Sequence, residues 1–179
     1  MILRETVLSG VMIIEPRVHL DVRGTFSTHY SDAWFLEQGL ESSFRQASTS
    51  RNGAAGTLRG MHWQGSPYPE VKLVRCDRGA VYDVVLDMRP DSPTFRRWHA
   101  LELSEENDLA VYVPAGCAHG YQTLRPDSWV TYLLSGSYEP SSARGVRWDD
   151  PAFAIEWPAC RERVISHKDA TYPEYQFDE

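Results

Sequence analysis

The chain has 179 residues, with 25 acidic against 18 basic side chains and a formal charge of -7 at pH 7. That length fits one domain with its own core better than two, and the acidic balance argues against non-specific binding to nucleic acid or an anionic membrane. The three cysteines, Cys76, Cys117 and Cys160, are widely spaced and form no C-x-x-C pair. Neither a disulfide framework nor a zinc site is expected, and the chain reads as reduced and cytosolic.

The opening "MILRETVLSGVMIIEPRV" carries charges at Arg4 and Glu5, and its apolar stretch is broken at Glu15 and Pro16. It is too short for a signal sequence or a membrane span, and 11–14 reads as a first strand. In "DVRGTF", 21–26, Asp and Gly are turn residues. "SDAWFLEQGL", 31–40, predicts a short helix with Ser31 as N-cap and Gly39 near its end. From residue 57 onward, apolar and β-branched segments alternate with turns: 57–64, 71–76, 80–87, 95–103, 110–113, 118–124 and 128–134. Such spacing predicts an all-β sandwich, jelly roll or barrel with short peripheral helices. The C-terminal third, "SYEPSSARGVRWDDPAFAIEWP" and its tail, predicts loops packed back onto the barrel by Trp148, Phe153 and Trp157. No repeat or low-complexity segment divides the chain, so 1–179 is expected to be a single domain.

Alternation is clearest in "AVYDVVLDMR", where Val81, Asp83, Val85 and Asp87 share one face and Tyr82, Val84 and Leu86 the other. In "VKLVRC", Lys72 alternates the same way. Two readings stay open here. The aspartates form a solvated face, or they point inward with Lys72 and the interior is a polar pocket.

"LRGMHWQ", 58–64, raises a related question. Strict alternation sends Arg59 and His62 to opposite faces. They meet only if the strand bulges, and Gly60 is where a bulge would form. A second histidine, His119, lies in "VPAGCAHGYQTL" after a Pro-Ala-Gly turn. The histidine cluster that a metal-binding barrel of this kind uses is missing, because Gln64 and Glu70 are poor partners for His62; no metal is expected. Tyr132 alternates with Val130 and Leu134, which suits either packing or a pocket phenol. Asp169, in "SHKDA", reads as a turn or N-cap residue.

Over about residues 10–172 the chain resembles the dTDP-4-dehydrorhamnose 3,5-epimerase family of cupin-fold sugar-nucleotide enzymes. The stretches that carry the resemblance are "EPRVHLDVRGTF", "GTLRGMHWQ", "VKLVRCDRGAVYDVVLDMRPDSPTF", "LSEEN", "VPAGCAHGYQTL", "SYEP", "RGVRWDDPAFAIEWP" and "SHKDA". The resemblance implies a cupin-type double-stranded β-helix (jelly roll), a homodimer, a nucleotide-diphosphate sugar as substrate and no cofactor. It implies that His62 removes the proton α to a C4 ketone, that Asp169 orients it, that Lys72 stabilises the enolate oxygen and that Tyr132 returns a proton from the other side. It assigns Arg23, Arg59 and His119 to the diphosphate-sugar site and Phe26, Gln46, Ser48 and Tyr138 to the nucleotide. The chain departs from the family's pattern at Thr28, where the family has glutamate, at Ser48, where it has asparagine, and in "RNGAAG", one residue longer. All three lie on the nucleotide or substrate side.

The implied chemistry is self-consistent. A C4 ketone acidifies both C3–H and C5–H, so one base and one opposed donor can invert either centre. Histidine, with a pKa of about 6.5, suits the base, and a phenol near 10 stays protonated until needed. Two other readings are a cupin sugar-nucleotide 3,4-ketoisomerase and a binding homologue without turnover.

Overall fold

In the computed structural model, which describes residues 1–176, the alternating segments become strands of two facing sheets. Strands β1 (Ile2–Glu5) and β2 (Met12–Glu15) precede a hairpin of β3 (Val18–Asp21) and β4 (Gly24–Ser27), then helix α1 (Asp32–Glu37). There follow β5 (Gln46–Asn52), β6 (Thr57–Gln64), β7 (Lys72–Arg78), β8 (Ala80–Asp87), β9 (Trp98–Ser104), β10 (Ala110–Val113), β11 (Cys117–Thr123) and β12 (Ser128–Leu134). A 3-10 turn (Pro140–Ser142), β13 (Ala143–Gly145), β14 (Val164–Ile165) and helix α2 (His167–Ala170) complete the described elements. The first sheet runs β1-β2-β10-β7-β12-β5 and the second β13-β6-β11-β8-β9, with β14 on β6. This is the expected jelly roll with short peripheral helices.

Period-two patterning sorts side chains into three layers. Val74, Val81, Val85, Val111 and Val130 meet between the sheets. Outside the first sheet, Ile14 and Leu73 pack under Phe35 of α1. Outside the second, Met61, Val84 and Leu86 are covered by Val146 and Phe153 from the C-terminal third, with Trp157 packed against them. The Trp157 indole N–H donates to the Trp148 carbonyl at 2.7 Å, and the Arg163 guanidinium lies 4.1 Å from the Trp148 ring centre.

The question left open by β8 is resolved: Asp83 and Asp87 are both fully buried and the solvated-face reading is wrong. Buried carboxylates persist only with partners. Burial pushes the Asp87 carboxyl up, but hydrogen bonds from Arg89, Ser92 and Thr94 hold it well below the usual carboxylate range. Asp83 has a sparser surrounding: one oxygen faces His119 Nε2 at 2.8 Å and the other has no hydrogen-bond partner.

Other departures are local. The segment expected to start at 95 becomes strand only at Trp98, because Arg96 takes a positive φ of 64° and donates to the Asp87 carbonyl in a turn. Ser31 is the N-cap of α1 without a side-chain capping bond; the Asp32 carboxylate instead accepts from the Ala33 N–H. Strand β5 was not expected at all. Among the described residues, no helix is long and apolar enough to cross a membrane.

Candidate active site

The bulge foreseen at Gly60 brings Arg59 and His62 to one cavity. His119 of β11 is the Cα partner of His62, and Tyr121 of Arg59, so two steps along β11 span three along β6. The extra residue turns Met61 into the outer layer and leaves Arg59 and His62 lining the space between the sheets. Gly60 has φ of +132°, and a Cβ there would sit 2.5 Å from the Gly120 Cα. Only two glycines allow β6 and β11 to approach this closely. Gly60→Ala is therefore expected to lose about 3 kcal/mol of stability from strain and overpacking. Gly53→Ala, where an added Cβ meets nothing within 4 Å, serves as the control. Chemical denaturation of both variants checks this.

The cavity has a volume of about 520 Å³, within the range of small-ligand sites. His62 enters from the second sheet, and its Nε2 lies 2.7 Å from Asp169 Oδ1. Asp169 is not the N-cap of α2; that is Ser166, whose hydroxyl accepts from the Asp169 N–H. The cap fixes α2 so that the buried carboxylate faces β6, where its second oxygen accepts from the Gly60 N–H at 3.2 Å. Burial raises the Asp169 carboxyl, but the His62 ring, the Gly60 N–H and Ser166 together hold it below its ordinary value. An ionised Asp169 makes Nε2 of His62 the protonated nitrogen and leaves Nδ1 as the basic one.

Lys72 and Tyr132 enter from the first sheet, on β7 and β12. The Lys72 ammonium donates to the His62 carbonyl at 3.2 Å and pairs with Glu70 at 3.6 Å. Burial pushes it below its ordinary pKa, while Glu70 and Asp83 hold it up. Tyr132 is half-buried. Burial, the neighbouring Tyr121 phenol and Asp83 push its phenol well above 10, against the pull of Arg59. The cavity thus places a histidine–carboxylate pair on one wall, a phenol held protonated on the facing sheet, and an ammonium beside the histidine.

Of the other predicted residues, Ser48, Arg59 and His119 line this cavity. The Arg59 Nε donates to Asn52 Oδ1 at 2.9 Å. Gln46 is outside the lining and donates to the Ser48 hydroxyl at 3.0 Å. Arg23, Phe26 and Tyr138 are not brought to it. Arg23 and Phe26 lie on the exposed β3–β4 hairpin, with Arg23 paired to Asp21, and Tyr138 borders a separate hollow with Tyr68 and Arg45. Prediction by residue type missed Tyr121, whose hydroxyl donates to the Ser50 hydroxyl at 2.9 Å at the cavity wall. Its alternation with His119 was the available signal. Among the described residues, no group of three or more His, Cys, Asp or Glu is placed to hold a metal ion.

Comparison with known proteins identifies the family. The family model described as dTDP-4-dehydrorhamnose 3,5-epimerase matches residues 5–176. A Sinorhizobium fredii protein named dTDP-4-dehydrorhamnose 3,5-epimerase is 41% identical over 166 residues, 93% of this chain and 85% of that one. The Bacillus anthracis dTDP-4-dehydrorhamnose 3,5-epimerase, solved with TDP and PPi bound, superposes with a TM-score of 0.92 at 38% identity, over 97% of this chain and 98% of that chain. A 3'-monoepimerase from Streptomyces bikiniensis in complex with dTDP-quinovose gives 0.87 at 32% identity, over 94% of this chain and 85% of that one. By sequence and by fold alike, the chain belongs to the dTDP-4-dehydrorhamnose 3,5-epimerase family.

Proposed function

We propose that this protein is an isomerase that inverts C3, C5 or both of a thymidine-diphosphate 4-keto-6-deoxyhexose without a cofactor. The observation that carries the reading is one cavity lined by the His62–Asp169 pair on one sheet and by Tyr132 on the facing sheet. His62 Nδ1 takes the proton as the C–H bond breaks, and the electron pair moves to the C4 oxygen as an enolate. Lys72, the ammonium in the cavity, meets that developing charge, a contribution typically larger than the proton transfer itself. Carbon is then reprotonated by the Tyr132 O–H from the other face, and the ketone re-forms. Arg59 and His119 hold the diphosphate-sugar end.

Arg23 is proposed to join Arg59 and His119 at the diphosphate-sugar, and Phe26, Gln46, Ser48 and Tyr138 to reach the nucleotide, with the protein acting as a single-domain cytoplasmic homodimer. Support comes from the β3–β4 hairpin. Leu20, Val22 and Phe26 are all strongly exposed there, and Arg23 and Phe26 are remote from the cavity of their own chain. A hairpin laid against a second copy covers that apolar surface and brings Arg23 and Phe26 to a cavity.

The test is incubation with TDP-, UDP-, GDP- and CDP-linked 4-keto-6-deoxyglucose in deuterated water, read by NMR. The expected result is deuterium at C3, C5 or both of the TDP sugar with the carbonyl kept at C4. A carbonyl moved to C3 would assign a ketoisomerase instead, and binding without exchange would assign a non-catalytic homologue.

A further inference from the structure

Behind the cavity wall lies a second histidine–carboxylate pair: His119 lines the cavity and Asp83 backs it. His119 and Asp83 are both buried, with His119 Nε2 at 2.8 Å from Asp83 Oδ2. His119 is the direct cross-strand neighbour of His62, so two imidazoles stand side by side, each with Nε2 turned to a carboxylate. The His119 ring packs edge-on against Tyr132, with centres 6.0 Å apart. Asp83 is fully buried, and its other oxygen, Oδ1, has no hydrogen-bond partner. A carboxylate sequestered this way for structure alone would cost more than it returns.

We propose that Asp83 is a positioning residue of the epimerase site, fixing His119 through Nε2 so that Nδ1 is the atom presented to the substrate. This rests on the reading of the cavity as a sugar proton-transfer site. Asp83 supplies an acceptor and no donor, so Nε2 must carry a proton. The ring cannot turn over without leaving two oxygens of a fully buried carboxylate unpaired. The same charge reaches further: it opposes ionisation of Tyr132 and helps keep Lys72 protonated, on the wall facing His62. His119 is thereby held against the Tyr132 ring in one orientation, and the phenol is confined where it faces the substrate.

The first test needs no turnover. Long-range 1H–15N NMR of the imidazoles in the unmodified protein should find His119 protonated at Nε2; protonation at Nδ1 alone would overturn the proposal. In Asp83→Asn the side-chain amide can donate to Nε2, so the tautomer should reverse. By analogy with the Asp-to-Asn change in a serine-protease triad, kcat should then fall by roughly 10²-fold or more with a much smaller change in KM. Combined with His119→Gln, the double variant should lose no more than the worse single one, whereas multiplying losses would show that Asp83 does not act through His119. Normal inversion by the unmodified protein with full kcat in Asp83→Asn would remove this inference alone. Absence of exchange on every sugar nucleotide would remove the functional reading and leave the tautomer result standing.

Discussion

Replacing His62 by alanine is expected to abolish deuterium washout at both C3 and C5, because one Nδ1 serves both acidic positions. Loss of a positioned general base removes about 10²–10⁴-fold in rate. The loss here should approach the upper end, because the Nδ1 freed by the His62–Asp169 pair is the base of the proposed mechanism, while His119 on β11 holds the diphosphate-sugar end. Unchanged washout in His62→Ala would remove His62 as the base. The variant also strands Asp169, whose side chain is only 7% exposed and which keeps just the Gly60 N–H and the cap around it. A stability loss of about 1–3 kcal/mol should accompany the catalytic one. Its pH dependence has a definite sign. Asp169 is held below its ordinary value, so its stabilising contribution is present above the unfolded pKa of about 4 and fades as pH falls through the lower folded value. His62→Ala should flatten that acid limb, which stability measured against pH will read.

The strands β6, β7, β8, β10 and β12 were legible as short apolar and β-branched runs between turns, with side-chain alternation clearest in β8. The polar interior was half legible: Lys72 and Asp83 fell on the inward face, but alternation cannot say which face is inward until the outer layer of Val84, Leu86 and Phe153 is known. Strand β5 was invisible for a physical reason. "QASTSRN" has no large apolar residue, since it is an edge strand that pairs only with β12 and exposes alternate positions. The bulge at Gly60 could be inferred from the need to bring Arg59 and His62 together. The role of Asp169 could not be inferred locally, because it depends on α2 docking onto a strand 107 positions earlier in sequence. Arg23 and Phe26 were matched to the substrate site by resemblance, yet the hairpin that carries them stands away from the chain's own cavity. Local sequence reports an element's type far better than which cavity it serves.

Tyr132→Phe is expected to separate the two halves of the reaction. The His62–Asp169 pair is untouched, so abstraction and exchange of the substrate proton with solvent should continue. Inversion should fall by about 10²–10⁴-fold, because the donor on the far face is gone. The ring itself packs against His119 and the inner core, and phenylalanine keeps that packing, so stability should change little. The pH profile distinguishes donor loss from a general disturbance. Tyr132 is held protonated well above 10, so it cannot supply an alkaline limb near neutral pH. Lys72 can, because burial lowers its pKa and its charge is lost earlier than that of an exposed lysine. The alkaline limb of exchange should therefore be the same in the unmodified protein and in Tyr132→Phe, and should disappear in Lys72→Met. Inversion that survives at full rate in Tyr132→Phe would mean that the proton returns from another group, and the opposed-wall mechanism would fail.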